Sequence, residues 1–426
     1  MTQDSAETLT DIQRAQFQDR ARAESLLLEF LRRELPELET LTIHTKPESL
    51  NSINGIMRMG GKDFFFKTHT EEHETERESF NKEFYNSKLL EQQGYPVVTP
   101  ELVRHIPGRQ IAVYQKVEMQ TLFDLAKQVE DQQLAGEASP LATTLVSAQE
   151  RLDQRIFEIY CNTISETAST TDQAPIHQLF SGRLEPGKRV DEFYDGQVVA
   201  LPFGDIAFDD LKLLPWTING VDYDDCLQTL IERARTQLDP KRPTLTVCGH
   251  GDAHNGNVWF EPNAAQLWYF DPAFAGYHSP LLDMVKPLFH NVFARWMYHP
   301  AQVQDEFEVT AKLAGGRLVV EHNYSISELR QGFLRSKVQH ALRPTVAFLA
   351  ERGHLPAEWH SDLKLALLCC PLLTVNLAAR QDPQGKLEGK YSTAIKMLGL
   401  CMAIEAGAHP TRGSNPIQEL LGTLQV

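Results

Sequence analysis

His250-Gly251-Asp252-Ala253-His254-Asn255-Gly256-Asn257, followed downstream by Phe270-Asp271-Pro272, is the stretch on which the reading of this chain turns. TLTVCGH before the octet and Val258–Phe260 after it read as short strands, so the octet is a loop between them. Asp271 arrives fourteen residues after Asn257, directly behind the apolar run LWYF. Three acceptors are thereby gathered at strand ends: Asp252, Asn257 and Asp271. One carboxylate and one neutral amide oxygen, those of Asp271 and Asn257, suit a hard cation with oxygen ligands, above all Mg²⁺ carrying phosphates. The remaining carboxylate, Asp252, is left to orient a hydroxyl and take its proton late. Phosphoryl transfer asks for little beyond such positioning and charge neutralisation.

Working towards the N-terminus, residues 41 to 117 alternate in a different way. LTIHTK, INGIMRM and DFFFKT read as three strands, the last two joined by Gly60-Gly61-Lys62 as a hairpin turn. Residues 74 to 92 return to helical spacing, with Gly94 as the stop, and PELVRHI and QIAVYQKV read as two further strands around Pro107-Gly108-Arg109. The order β-β-β-α-β-β makes a small antiparallel sheet carrying one helix. Before it, residues 11 to 35 read as one amphipathic helix stopped by Pro36, either a lid on its own domain or a docking helix for a partner. After it, residues 121 to 240 are mostly helical, with a polar loop at SETASTTDQAP, and the chain is helical again from 280 onward. The stretch from 201 to 225, rich in Gly, Pro, Asp and aromatics, reads as no regular element.

The whole-chain numbers exclude several classes. The chain has 426 residues, and its 41 Lys and Arg against 57 Asp and Glu give a net charge of −16. A dedicated nucleic-acid binder needs a basic face to displace counterions, so that class is set aside. The longest apolar run, Leu365 to Val375, is broken by Pro371 and Thr374 and is far short of the ~20 residues of a spanning helix, so no membrane partner is expected. The acidic, polar N-terminal residues are not a secretory signal, and the six cysteines show no metal-ligand or disulfide spacing. A reduced, cytoplasmic protein is the expectation. Cys248 reads as a small buried residue, Cys369-Cys370 as core, and the histidines from 290 to 360 show no zinc spacing.

H-G-D-x-H-x-x-N followed by D-P resembles the catalytic and metal loops of the aminoglycoside phosphotransferase/choline kinase family, a branch of the protein-kinase-like fold. The interval from Asp252 to Asn257 equals that in the protein-kinase loop H-R-D-x-x-x-x-N. The resemblance covers roughly residues 40 to 300. It implies an α+β, bilobal protein-kinase-like fold, with a small antiparallel β-sheet N-lobe over 39–117 and a large, mainly helical C-lobe over 118–426. Residues 1–38 form an N-terminal extension, and the catalytic and metal loops lie at 250–257 and 271–276. ATP and Mg²⁺ are the implied cofactors, and a small-molecule hydroxyl is the implied acceptor. Asp252 becomes the catalytic carboxylate, and Asn257 and Asp271 the metal ligands. His254 takes the position of the catalytic-loop lysine, where it either neutralises phosphoryl charge or holds the loop. Lys67, at the end of DFFFK, matches the phosphate-binding lysine of the third strand.

Its glutamate partner is chosen among several. Glu83 borders the apolar stripe through Phe80 and Leu90 and precedes Gly94 by the family spacing; Glu78 is second. SLNSING resembles the family's Ser/Asn turn, which nominates Ser52 and Asn54 for phosphate oxygens. Gln115 and Val117 stand where the interlobe hinge meets the adenine edge. His250 and Asp283 are assigned supporting roles. The acceptor wall is sought in 201–225. There Asp209, Asp210, Asp222, Asp224 and Asp225 either pair with an amine or are solvated, and Trp216 either stacks on a ligand or packs in the core. The rival reading is a protein-directed kinase, an adenylyl-transferring relative or a nucleotide-binding pseudokinase of the same fold.

Overall fold

The structure, a computed structural model, describes residues 9–16, 18–44, 52–69, 86–104, 111–116, 119–379 and 391–424. It is a mixed α and β protein whose sheets are small and mainly antiparallel. The chain divides into two compact units.

The first unit is Met1–Gln120 with Trp268–Ala273. Its sheet has five strands: β1 (Leu38–Ile43), β2 (Ser52–Met59), β3 (Lys62–His69), β4 (Leu102–Arg104) and β5 (Ile111–Gln115), in the order β1-β2-β3-β5-β4. All pairings are antiparallel. Met59 faces Lys62, so β2 and β3 close through the two-residue turn Gly60–Gly61 expected from the sequence. The first strand begins at Leu38, earlier than LTIHTK suggested. Between β3 and β4 the described residues 86–92 are helical.

The N-terminal segment is two helices rather than one. α1 spans Leu9–Ala15 and α2 spans Arg20–Arg32. The break falls at Asp19, whose extended backbone and side-chain bond to the Arg22 amide cap α2. The apolar stripe continued across the break and hid it. Leu27 and Leu31 of α2 share one buried cluster with Ile43, Ile53, Met57, Phe66 and Val113 of the sheet. Each such side chain contributes about 1.5–3 kcal/mol by leaving water, so α2 is part of this unit's core. The opposite sheet face buries Ala112 and Tyr114 against Phe65 and Val103.

The second unit is Thr121–Leu267 with Phe274–Val426. Its long helix Pro140–Thr163 and the paired helices Trp359–Thr374 and Thr393–Gly407 carry most of the core. The last two are apolar on nearly every side, as helices packed on all faces must be. No described helix is long and apolar enough to cross a membrane.

Two expectations fail here. Residues 201–225 are ordered into short pairs: Val198–Leu201 with Gly204–Ala207, and Trp216–Ile218 with Val221–Tyr223. Strands of three or four residues are too short for alternation to show. The region from 280 onward is not all helical either. Val309–Ala314 and Arg317–His322 form a hairpin, and the second of them pairs in parallel with Trp216–Ile218. One four-stranded sheet therefore joins segments a hundred residues apart in sequence, which no local pattern reveals.

Candidate active site

In the second unit the strands Val247–Gly249 and Gly276–His278 pair antiparallel, with Val247 opposite His278 and Gly249 opposite Gly276. The first of them leads directly into the loop. Gly251 then turns the chain at φ 80°, and a Cβ there would stand 2.2 Å from the Phe274 carbonyl oxygen, so only glycine fits. Asp283, on the short helix Pro280–Asp283, is the anchor. Its Oδ1 accepts from the Gly251 amide at 2.6 Å and pairs with His278 Nε2 at 2.9 Å, and its Oδ2 accepts from the Tyr160 hydroxyl. Burial pushes its pKa up, but the His278, Tyr160 and Gly251 contacts outweigh that and leave it below the usual carboxylate value.

Asn257 ends the one-turn helix Asn255–Asn257 and donates its Nδ2 to the Asp252 carbonyl at 3.0 Å. Its amide oxygen is thereby what it turns to any other partner. His254 Nδ1 accepts from the Gly256 amide at 3.0 Å, so this ring does hold the loop; its Nε2 lies 3.8 Å from Asp252 Oδ2. His250 is buried, and its Nδ1 accepts from the Asp252 amide at 3.4 Å. A second brace runs through Asn291, whose Oδ1 accepts from the Asn255 amide at 2.7 Å.

Asp252 itself is mostly buried. Burial works against its charge, yet Lys286 first, then His254, His250 and Arg183, draw its pKa below the ordinary value. Lys286 Nζ is 3.5 Å from Asp252 Oδ1 and 3.2 Å from His290 Nε2, and His290 Nδ1 meets the Tyr298 hydroxyl at 2.7 Å. Burial, then Lys286, lower the His290 pKa well below the usual value, so its ring is neutral. Asp252 Oδ1 is buried and makes no hydrogen bond to any described residue. Its charge partner is Lys286 at 3.5 Å, which leaves the oxygen with capacity for a further donor.

Lys286, His290 and Asn291 were missed by sequence reasoning. The available signal was a lysine inside the otherwise apolar DMVKPLF, with a histidine four residues on, along the helix Val285–Val292. The Cys248 thiol, next to the loop, is pushed up to about 12 by burial and then by Asp283, which rules out a reactive thiolate.

The first unit holds the other candidates. Lys67, on β3, faces Asn54 on β2 and Ala112 on β5. Its Nζ lies 3.0 Å from Asp271 Oδ1 across 204 residues of sequence. Asp271 sits at φ 53°, and Asn86 fixes the following residues by donating to the Pro272 carbonyl at 3.1 Å. Ser52 opens β2, Asn54 is half-buried in the same strand, and Gln115 is exposed at the end of β5. Glu83, Glu78 and Val117 lie outside the described residues.

Among the described residues no three His, Cys, Asp or Glu side chains gather as a metal cage. Any cation would therefore need phosphate and water for most of its ligands, which is how Mg²⁺ is usually bound.

Four of the five aspartates of the acidic segment have ion-pair partners. Asp222 pairs with Arg412, Asp224 with Arg317, Asp225 with Arg233 and Asp209 with Lys212. Trp216 is fully buried.

No protein-family description and no curated protein matches the sequence. Solved structures do align with it. One is an aminoglycoside phosphotransferase in ternary complex with AMP-PNP and hygromycin B: 11% identity, 89% of this chain, 98% of that chain, TM-score 0.46. Another is spectinomycin phosphotransferase with ADP and spectinomycin: 12%, 89%, 98% and 0.39. A third is the Plasmodium vivax ethanolamine kinase: 8%, 95%, 96% and 0.41. These are small-molecule kinases of the kind the H-G-D-x-H-x-x-N motif resembles. At TM-scores below 0.5 they leave function to be argued from the residues.

Proposed function

We propose that this chain transfers the γ-phosphoryl group of ATP to a hydroxyl of a small molecule. The observation that supports the reading is the buried, ionised Asp252, whose Oδ1 has Lys286 as its charge partner at 3.5 Å and accepts no hydrogen bond from a described residue. It accepts the acceptor hydroxyl and orients its oxygen. The oxygen bonds to the γ-phosphorus, the bond to the bridging β–γ oxygen breaks, ADP leaves, and the hydroxyl proton passes to Asp252. Lys286 and His254 keep Asp252 charged before that transfer, and Asp283 holds its backbone in place.

Lys67 contacts the α- and β-phosphates, with Glu83 as its second partner. Ser52 and Asn54 donate to phosphate oxygens, and backbone groups at Gln115 and Val117 meet the adenine edge. Mg²⁺, when bound to Asp271 and Asn257, supplies positive charge against the phosphates.

ADP release from Mg·ATP, measured over sugars, amino sugars, amino alcohols and hydroxy acids, tests this reading, with Asp252→Asn as control. Equal turnover by wild type and the variant, or release of pyrophosphate in place of ADP, overturns it.

A further inference from the structure

Lys286 is paired with Asp252 without closing on it. Its Nζ is 3.5 Å from Asp252 Oδ1, and that oxygen accepts no hydrogen bond from a described residue. A charge-assisted N–H···O bond between such groups normally closes to about 2.7–2.9 Å. Lys286 is only 4% exposed, and its flexible four-carbon stem could close the gap.

The competing acceptor is on the same helix face. His290 follows Lys286 by four residues along Val285–Val292, and the two side chains meet at 3.2 Å, Lys286 Nζ to His290 Nε2. An ammonium has three donors and no acceptor, so Nε2 carries the lone pair and Nδ1 the proton. The Nδ1–H then donates to the Tyr298 hydroxyl oxygen at 2.7 Å. Burial, then Lys286, keep the ring neutral, as this tautomer requires. Tyr298 is itself set edge-on against Phe123, with ring centroids 4.9 Å apart. A separate contact keys the helix to the catalytic loop: Asn291 Oδ1 accepts from the Asn255 amide at 2.7 Å. With helix and loop fixed to each other, the place of Nζ is decided between Asp252 and His290.

The separation affects the two parts of the interaction differently. Coulomb attraction falls as 1/r, so standing at 3.5 Å rather than about 2.8 Å forfeits only about a fifth of it. The hydrogen bond is forfeited altogether, and the lone pairs of Oδ1 stay available to another donor.

We propose that His290 is a positioning residue for phosphotransfer: it tethers the Lys286 ammonium close enough to compensate the Asp252 charge and too far to occupy Oδ1, which stays open to the acceptor hydroxyl. This rests on the phosphotransfer reading above and adds a residue to it. Without the tether, Lys286 closes onto Oδ1 and takes the place of the hydroxyl.

Structure, tautomer and kinetics test this together. In the wild type, ring-nitrogen NMR of histidine-labelled protein should place the His290 proton on Nδ1; a proton on Nε2 could not leave that atom to accept from Lys286 and overturns the tether. In a crystal structure of His290→Leu the Nζ–Oδ1 distance should shorten to about 2.8 Å. With Mg·ATP and the hydroxyl compound best used by the wild type, kcat of this variant should fall about tenfold or more, with the KM of ATP within about twofold. His290→Gln keeps an acceptor for Lys286, so it should retain the longer distance and a kcat within about threefold of wild type. In a Lys286→Met background, where nothing remains to be tethered, His290→Leu should change kcat by less than about twofold, whereas a packing role alone would act equally in both backgrounds. An unchanged distance in His290→Leu, a Gln variant as slow as the Leu variant, or equal factors in the two backgrounds would each overturn the proposal. Should His290→Leu fail to fold, the wild-type tautomer and the Gln variant still decide it. Absence of ADP release by the wild type with every hydroxyl compound overturns the phosphotransfer reading itself, whatever the distance and tautomer.

Discussion

Two acidic regions of the second unit invite comparison. Residues 209 to 225 carry five aspartates, four of them in ion pairs at or near the surface. The loop at 250–257 carries one, mostly buried, whose Oδ1 lies 3.5 Å from Lys286 Nζ and accepts no hydrogen bond from a described residue. Counting carboxylates favours the first region as a ligand wall. Asking which carboxylate is buried and still has unused hydrogen-bonding capacity favours the second. Exposed pairs are worth about 0–1 kcal/mol, whereas a buried carboxylate oxygen without a hydrogen bond is costly enough to require an explanation.

The sharpest way to break this comparison is Asp252→Asn. The amide keeps the shape and loses the charge, and kcat should fall about 100- to 10,000-fold, the range for a positioned general base. A kcat within threefold of wild type would remove the distinction. Next is Asp283→Asn, which strips a buried carboxylate from Gly251, His278 and Tyr160. Loss of about 1–3 kcal/mol in a denaturant titration is expected, because a charged acceptor of buried hydrogen bonds is replaced by a neutral one. The sign with pH follows from its lowered pKa: the Asp283 contribution is complete above the ordinary value of 3.8 and is lost as pH falls through the native value. The variant should therefore show less acid-induced loss between pH 4 and lower values, compared by melting midpoint.

Gly251→Ala follows. Its positive φ and the Phe274 carbonyl should cost about 1–3 kcal/mol of backbone strain alone, read as a lower midpoint together with lower kcat.

Lys364 tests whether an unserved buried charge is costly elsewhere in the fold. It is fully buried, its Nζ has no hydrogen bond to a described residue, and burial lowers it to about 8. Burial likewise raises Glu405 to about 7, with Lys364 acting against that rise. The native state holds the Glu405 proton more tightly than the unfolded chain and the Lys364 proton less tightly. Stability should fall as pH rises from 4.5 to about 7 and recover from about 8 to 10.5. Lys364→Met should stabilise by about 1 kcal/mol and abolish the alkaline recovery. The smallest effect belongs to Asp224→Asn, at most about 1 kcal/mol in stability with kcat/KM unchanged; a tenfold loss would return the acidic segment to the site.

What was legible in the sequence was local. The octet at 250–257 and the turn at Gly60–Gly61 are contiguous, and their chemistry is spelled by neighbouring residues. Asn219-Gly220 is an equally local hairpin signal, set between strands too short for alternation to show; Asn219 adopts φ 50° and Gly220 φ 76°. Lys286 was not legible. It stands 34 residues after Asp252, and a lone cation has no pattern until tertiary packing brings it to a carboxylate. The arginines that occupy Asp222 and Asp224 come from positions 412 and 317, equally far from their partners.

The pairing of Lys67 with Asp271 has a thermodynamic consequence. As long as the two hold each other at 3.0 Å, the lysine is a weaker site for phosphate and the aspartate a weaker site for a cation. The side chains are partly exposed, so opening the pair costs about 1 kcal/mol or less. On the proposed function, metal taking the aspartate would release the lysine for phosphate, and phosphate taking the lysine would release the aspartate for metal. By linkage each would raise the affinity of the other by the same factor, so the pair would act as a small exchange switch that favours loading metal and nucleotide together over either one singly.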